Sequence, residues 1–132
     1  MSELKLPEIN RVQLGGRLTR DPDKRYATDG TPVTTFTIAF HRRWRGKDGA
    51  IAEQTGFTPV VTVQRLAEVC AEHLRKGSAV LVEGRLQMRE WAAPGGEKRS
   101  RLEVRADMVH FMEWPESGQA PQGALPPGSD GA

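Results

Sequence analysis

The sequence predicts an all-β domain: a five-stranded barrel with one α-helix between the third and fourth strands. Three observations carry that expectation. Apolar residues recur with a period of two through most of the chain, a single stretch switches to helical spacing, and glycine pairs interrupt or join the strands.

The first strand contains Val12 and Leu14 in alternation, and Gly15-Gly16 then suits a bulge or sharp bend, where a strand curls to serve two sheets. Asp21-Pro22 and Asp29-Gly30 read as turns. The second strand is the β-rich run Val33 to Phe40, with Phe36, Ile38 and Phe40 on one face. A polar, glycine-bearing loop is expected from Arg45 to Gln54. The third strand is expected from about Phe57 to Val63, with Pro59 suggesting an edge or a bulge.

Arg65 to Lys76 is the one helical segment, because Leu66, Val69, Cys70 and Leu74 share a face. Arg75 and Lys76 favour its C-terminal end, and Gly77 suits a left-handed stop. The fourth strand follows, Val80 to Arg89, with the even positions inward and Glu83, Arg85, Gln87 and Arg89 outward. Pro94-Gly95-Gly96 marks a turn. On the returning fifth strand Leu102, Val104, Ala106 and Met108 are expected inward, with Arg101, Glu103, Arg105 and Asp107 outward. That order of elements is the one found in the oligonucleotide/oligosaccharide-binding (OB) fold.

The chain has 132 residues, 37% of them hydrophobic and 27% charged, which fits one modest core. The expected division is a domain over residues 1–114 and a Pro/Gly-rich flexible tail over residues 115–132, in which only Leu125 is a large aliphatic. No apolar run is long enough for a membrane span, and the N-terminus lacks a signal-peptide stretch, so a cytoplasmic, nucleoid-associated protein is expected. The formal charge is +2, but the tail contains only two charges, both acidic; residues 1–114 stand at +4. A mildly basic domain suits an anionic partner.

Catalytic patterns are scarce. Gly15-Gly16 lacks the spacing of a phosphate-binding loop. His41, His73 and His110 stand apart with no metal-ligand spacing, and Cys70 is the only cysteine and lies on the apolar helix face. Asp48 and Glu53 read as solvated loop charges. No enzyme, metal or cofactor is expected.

What the residues do offer is cations interleaved with aromatics. Arg42, Arg43, Arg45 and Lys47 surround Trp44; Arg85 and Arg89 share a strand face with Trp91; Lys98, Arg99 and Arg101 lie across the turn. Single-stranded nucleic acid needs that combination, since rings stack on bases while cations follow phosphates. A carbohydrate site gains less from so many arginines. Trp91 falls in the outward register. Strict alternation places Trp44 inward with Phe36, Ile38 and Phe40, whereas a slip at the strand end would turn it outward, and periodicity leaves both open. Phe57, which opens its strand, could equally be a core residue, and Trp114 reads as packing or a cap on the barrel.

Several stretches resemble the bacterial single-stranded DNA-binding protein (SSB) family. They are Gly16 to Pro22 with Arg25-Tyr26 and Gly30, Phe36 to Ala39, Glu53 to Thr55, and Leu66-Ala67-Glu68 through Leu74 to Ser78 and on to Val82 to Leu86. The similarity runs from about Asn10 to Phe111. The resemblance implies a homotetramer that wraps single-stranded DNA with little sequence preference and protects it during replication, recombination and repair. Of four stacking positions, Trp44, Phe57 and Trp91 match three, and Val63 falls on the remaining one, where it cannot stack. With Arg42, Arg43, Arg45, Arg85, Arg89 and Arg99 as phosphate contacts, these are the candidate DNA-binding residues. Thr58 replaces a histidine that the family uses in subunit contacts. The chain stops at Gly128 to Ala132 without the family's acidic tip and terminal Pro-Phe, so tail-mediated partner recruitment is expected to be absent or reduced. Two other readings keep the fold: a primosome-type accessory protein acting mainly through protein contacts, and an RNA-binding module.

Overall fold

The computed structural model describes residues 4–112. Trp114 and the 115–132 segment, with the expectations placed on them, lie outside the described residues. Seven elements follow in order: β1 (Val12–Leu18), β2 (Asp23–Tyr26), β3 (Pro32–Arg45), β4 (Ile51–Val63), α1 (Gln64–His73), β5 (Ala79–Ala92) and β6 (Lys98–Phe111).

Five strands close on themselves. β1 pairs antiparallel with β5 along Val12 to Arg17 and with β3 through Arg17 and Leu18. The remaining seams are β5–β6, β4–β3 and a parallel two-residue contact in which Val60 and Val61 of β4 face Val104 and Arg105 of β6. The five-stranded barrel and its helix are as the sequence predicts, and the short β2, flanking the first residues of β3, is an addition. All four of its residues are exposed, so no apolar alternation announced it.

The core is Leu18, Phe36, Ile38, Val60, Cys70, Leu74, Val80, Val82, Val104 and Ala106. Helix α1 covers one side of β3, and two buried threonines are satisfied there: Thr34 Oγ1 donates to the Ala67 carbonyl and Thr62 Oγ1 donates to the Thr34 carbonyl. The helix ends at His73, earlier than its periodicity suggested. The Arg75 guanidinium donates back to the carbonyls of Ala71 and Leu74, and Gly77 turns the chain at a φ of +89°. No helix among the described residues is long and apolar enough to cross a membrane.

Gly15-Gly16 does not interrupt β1, whose ladder with β5 is continuous. Gly16 serves a different purpose: a Cβ there would overlap the Ala39 carbonyl, so its absence lets β1 approach β3 and close the barrel. Pro59 causes no bulge, since Thr37 and Pro59 pair in register. It stands just before the two-residue contact with β6, where β4 still has a single neighbour.

The largest departure from expectation is strand length. β3 continues to Arg45 and β4 begins at Ile51, so the expected loop is mostly a hairpin with only residues 46–50 as its turn. Asp48 Oδ1 accepts from the Ala50 amide and fixes that turn. β5 and β6 likewise pair out to Ala92 and Lys98. Both hairpins run past the barrel, leaving Leu86, Met88 and Leu102 exposed on the face read as inward. In β6 a bulge at Asp107, between the Glu83–Met108 and Gly84–Ala106 pairs, reverses the parity. Met108 therefore turns outward, and Val109 and Phe111 pack on the core.

Candidate nucleic-acid interface

Residues directly opposite each other in a sheet share a face, so the ladders sort the candidate side chains. On β4, Phe57, Pro59, Val61 and Val63 point away from the core. On the β5–β6 hairpin the outer face holds the pairs Arg85–Arg105, Gln87–Glu103, Arg89–Arg101 and Trp91–Arg99. The parallel contact aligns these two sets, because Val60 and Val104 are both buried while Val61 and Arg105 are both outside. Phe57, Trp91, Arg85, Arg89 and Arg99 thus belong to one outer surface.

Phe57 is 65% exposed, so its place at the start of the expected strand is not a core position. Trp91 is 40% exposed, with the guanidinium carbon of Arg89 at 5.6 Å and that of Arg101 at 6.0 Å from its ring centroid. Both are within cation–π range. Trp44 keeps strict alternation and shares the face of Phe40 and Arg42, yet it is 39% exposed because the hairpin has left the barrel by then. Arg42 lies 4.8 Å over its ring. Trp44 and Phe57 consequently lie on opposite faces of the β3–β4 hairpin.

The remaining arginines differ in how free they are. Arg43 pairs with Glu53, whose carboxyl it holds below the ordinary glutamate range by hydrogen bond and charge. Glu53 is therefore an ion-pair partner rather than a lone solvated charge. Arg45 donates to the Gly49 carbonyl at 2.7 Å, Arg85 faces Asp107 at 3.7 Å and Arg99 faces Glu97 at 3.5 Å. Such exposed pairs exchange readily for a phosphate, since each is worth little in water.

Between β2 and the β5–β6 hairpin the outer surface dips into two adjoining pockets. One is lined by Arg20, Asp21, Asp23, Thr35, Phe36, Thr37, Pro59 and Arg101. The other is lined by Asp23, Arg25, Val33, Thr35, Val61, Arg89 and Glu103. Together they form a groove floored by β3 and β4 and bordered by four arginines. Arg20, in the turn after β1, and Arg25, on β2, add to the cations expected from the sequence, and Arg101, expected across the turn, comes to lie against Trp91. Val63 lies at the β2 end, in the rung containing Val33 and Arg25.

No group of three or more His, Cys, Asp or Glu residues is arranged to hold a metal ion among the described residues. Burial pushes the Cys70 thiol up to about 12, so it packs without reacting.

Comparison with known proteins agrees with this geometry. Residues 9–112 match the model of the single-strand binding protein family. The single-stranded DNA-binding protein of Thermotoga maritima is 51% identical over 105 residues, covering 80% of this chain and 74% of that one. Its counterpart in Caldanaerobacter subterraneus is 46% identical over 110 residues, 83% of this chain and 71% of the other. A deletion mutant of the single-stranded DNA binding protein from Thermus aquaticus superposes with a TM-score of 0.71 at 33% identity, over 80% of this chain and 51% of that chain. A Plasmodium falciparum SSB structure, 24% identical, shares the fold with a TM-score of 0.74 over 83% of this chain and all of the other. With the barrel, the motifs and the similarity spanning the same residues, the chain belongs to the single-strand binding protein family.

Proposed function

We propose that this protein binds single-stranded DNA with little sequence preference and protects it during replication, recombination and repair. The observation that carries the reading is the outer surface itself. Phe57 and Trp91 stand exposed beside a groove bordered by Arg20, Arg25, Arg89 and Arg101. Rings offer faces to any base, and cations neutralise the backbone regardless of sequence. Duplex DNA has no free base faces to offer.

In this reading Phe57 and Trp91 stack on bases from one side of the hairpins, and Trp44 does so from the other. Arg42, Arg43, Arg45, Arg85, Arg89 and Arg99 neutralise phosphates. A strand meeting all three rings must pass around the β3–β4 hairpin, which suits wrapping better than lying flat. A homotetramer at the nucleoid, in the cytoplasm, is the proposed working form, by analogy with the family. Relatives bearing the name single-stranded DNA-binding protein support the reading.

Intrinsic tryptophan fluorescence, titrated with poly(dT), poly(rU) and duplex DNA at two salt concentrations, tests it. Deep quenching by poly(dT) that weakens with salt is expected. Absence of quenching at either salt would favour the accessory role through protein contacts. Quenching by poly(rU) above poly(dT) would favour an RNA ligand. Sedimentation of the same samples reads the assembly.

A further inference from the structure

Glu103 is the one buried charged residue among those described, 3% exposed, although it lies in the outward register between arginines. The two buried threonines complete their hydrogen bonds inside the fold. Glu103 does not. Its Oε2 accepts from Gln87 Nε2 at 2.8 Å, while Oε1 has no partner among the described residues. A desolvated carboxylate oxygen left unpaired is costly, and folds keep one where something else completes it.

Two cations, Arg25 and Arg89, line the pocket that Glu103 lines, and both are engaged elsewhere. Arg25 donates to Asp23 at 2.8 Å, and Arg89 lies over the Trp91 ring. The pocket therefore joins an unsatisfied acceptor to an arginine rim and sits four rungs along the ladder from Trp91, two pairs away on the same face.

We infer that Glu103 reads a base: its Oε1 accepts a hydrogen bond from the exocyclic amino group of a nucleobase seated in this pocket, with cytosine N4 the smallest donor. The inference rests on the proposed single-stranded DNA binding and adds a bias at one subsite. Carboxylates pair with cytosine N4 in duplex readout, and the same chemistry serves an unpaired base. Thymine carries a carbonyl oxygen where cytosine carries its amine, so it would set acceptor against acceptor. Oε1 is closed from solvent in the free protein, so seating the base requires the pocket lining to give way, and Arg25 and Arg89 are the exposed cations there that can turn to the backbone phosphate. The other bases on the surface remain bound by stacking alone.

The test compares oligo(dC) with oligo(dT) of equal length on the full chain, at mildly alkaline pH where cytosine N3 is unprotonated. Glu103→Gln keeps the side-chain shape and removes the charge. Gln87 goes on donating to the introduced carbonyl, which turns the introduced amide NH2 toward the pocket. The affinity ratio of dC over dT is expected to fall about fivefold, the low end of one matched contact to a base edge. Thermal unfolding of the same variant separates binding from folding. An unchanged ratio with both oligonucleotides still bound overturns the inference and leaves the general function intact. A parallel loss for both, with a lowered melting temperature, assigns Glu103 to structure and also overturns it. If the unsubstituted protein binds neither oligonucleotide, the functional reading itself fails.

Discussion

Arg101 on β6 holds its guanidinium carbon 6.0 Å from the ring centroid of Trp91 on β5. Arg89 approaches the same ring from its own strand. Two cations from different strands thus attend one exposed indole, diagonal neighbours on the ladder brought together by pairing rather than by sequence proximity.

Trp91→Ala is expected to weaken binding of oligo(dT) by about 1–3 kcal/mol, the worth of one base–ring stack. Trp91→Phe should retain most of that. Because the ring is on a ribbon outside the core, the change in unfolding free energy should stay within about 0.5 kcal/mol. Anisotropy titration and chemical denaturation read the two quantities separately. A large stability loss from Trp91→Ala would show that the ring is structural.

Charge should be graded by pairing. Arg89→Ala is expected to reduce the slope of log K against log salt by about 0.7, as for one phosphate contact on a single strand. Arg43→Ala should change it less, since Glu53 already opposes that charge. Glu53→Gln should do the reverse, releasing Arg43 and strengthening binding at low salt. Equal slopes for all three variants would contradict this ordering.

Glu83 links stability to pH. Its carboxylate accepts from Gln13 Nε2 at 3.0 Å and bonds His110 Nε2 at 2.6 Å. The Gln13 hydrogen bond, then that of His110, holds its pKa below the ordinary 4.5. A pKa lower in the folded than in the unfolded state means the stabilisation is present above the unfolded value. It is lost as pH falls through the folded one. Gln13→Leu should therefore lower the melting temperature near neutrality and narrow its difference from the parent below pH 4.5. A difference that stays constant across the acid range would dissociate Glu83 from the effect.

Gln64 opens α1 with a φ of +61°, the one non-glycine residue among those described in the left-handed region. That conformation costs a side-chain-bearing residue on the order of 1–2 kcal/mol. Gln64→Gly is expected to recover about 1 kcal/mol, offset in part by the greater freedom of glycine in the unfolded chain. Gln64→Val should be destabilising. Urea unfolding of both variants checks the pair.

Alternation in the sequence revealed which residues share a face but not whether anything covers that face. Leu86, Met88 and Leu102 carry the inward parity of Val80 and Val82 and are exposed all the same: Leu86 stands at the rim, opposite buried Val104, and Met88 and Leu102 lie beyond it. The same blindness applies to Glu103, whose outward parity is correct and whose burial comes from the groove around it. The bulge at Asp107 has no signal on its own strand; the glycine that marks it, Gly84, stands across the ladder on β5, where a Cβ would overlap the Arg105 carbonyl. The aromatic and basic positions were legible because large exposed rings among cations have few structural reasons to be there. Their division between two faces needed the ladder register.

Among the described residues nothing covers either side of the hairpins beyond the barrel, so within this chain no packing fixes the angle at which they leave it. Two-stranded ribbons of this kind twist and flex about their base. The spacing between Trp44 and Trp91 is then an adjustable span rather than a rigid one. On the proposed single-stranded DNA binding, a surface built this way would accommodate purines and pyrimidines, and local crowding in the strand, by bending its own arms. Rigid barrel walls with compliant arms would give the proposed tolerance a mechanical origin.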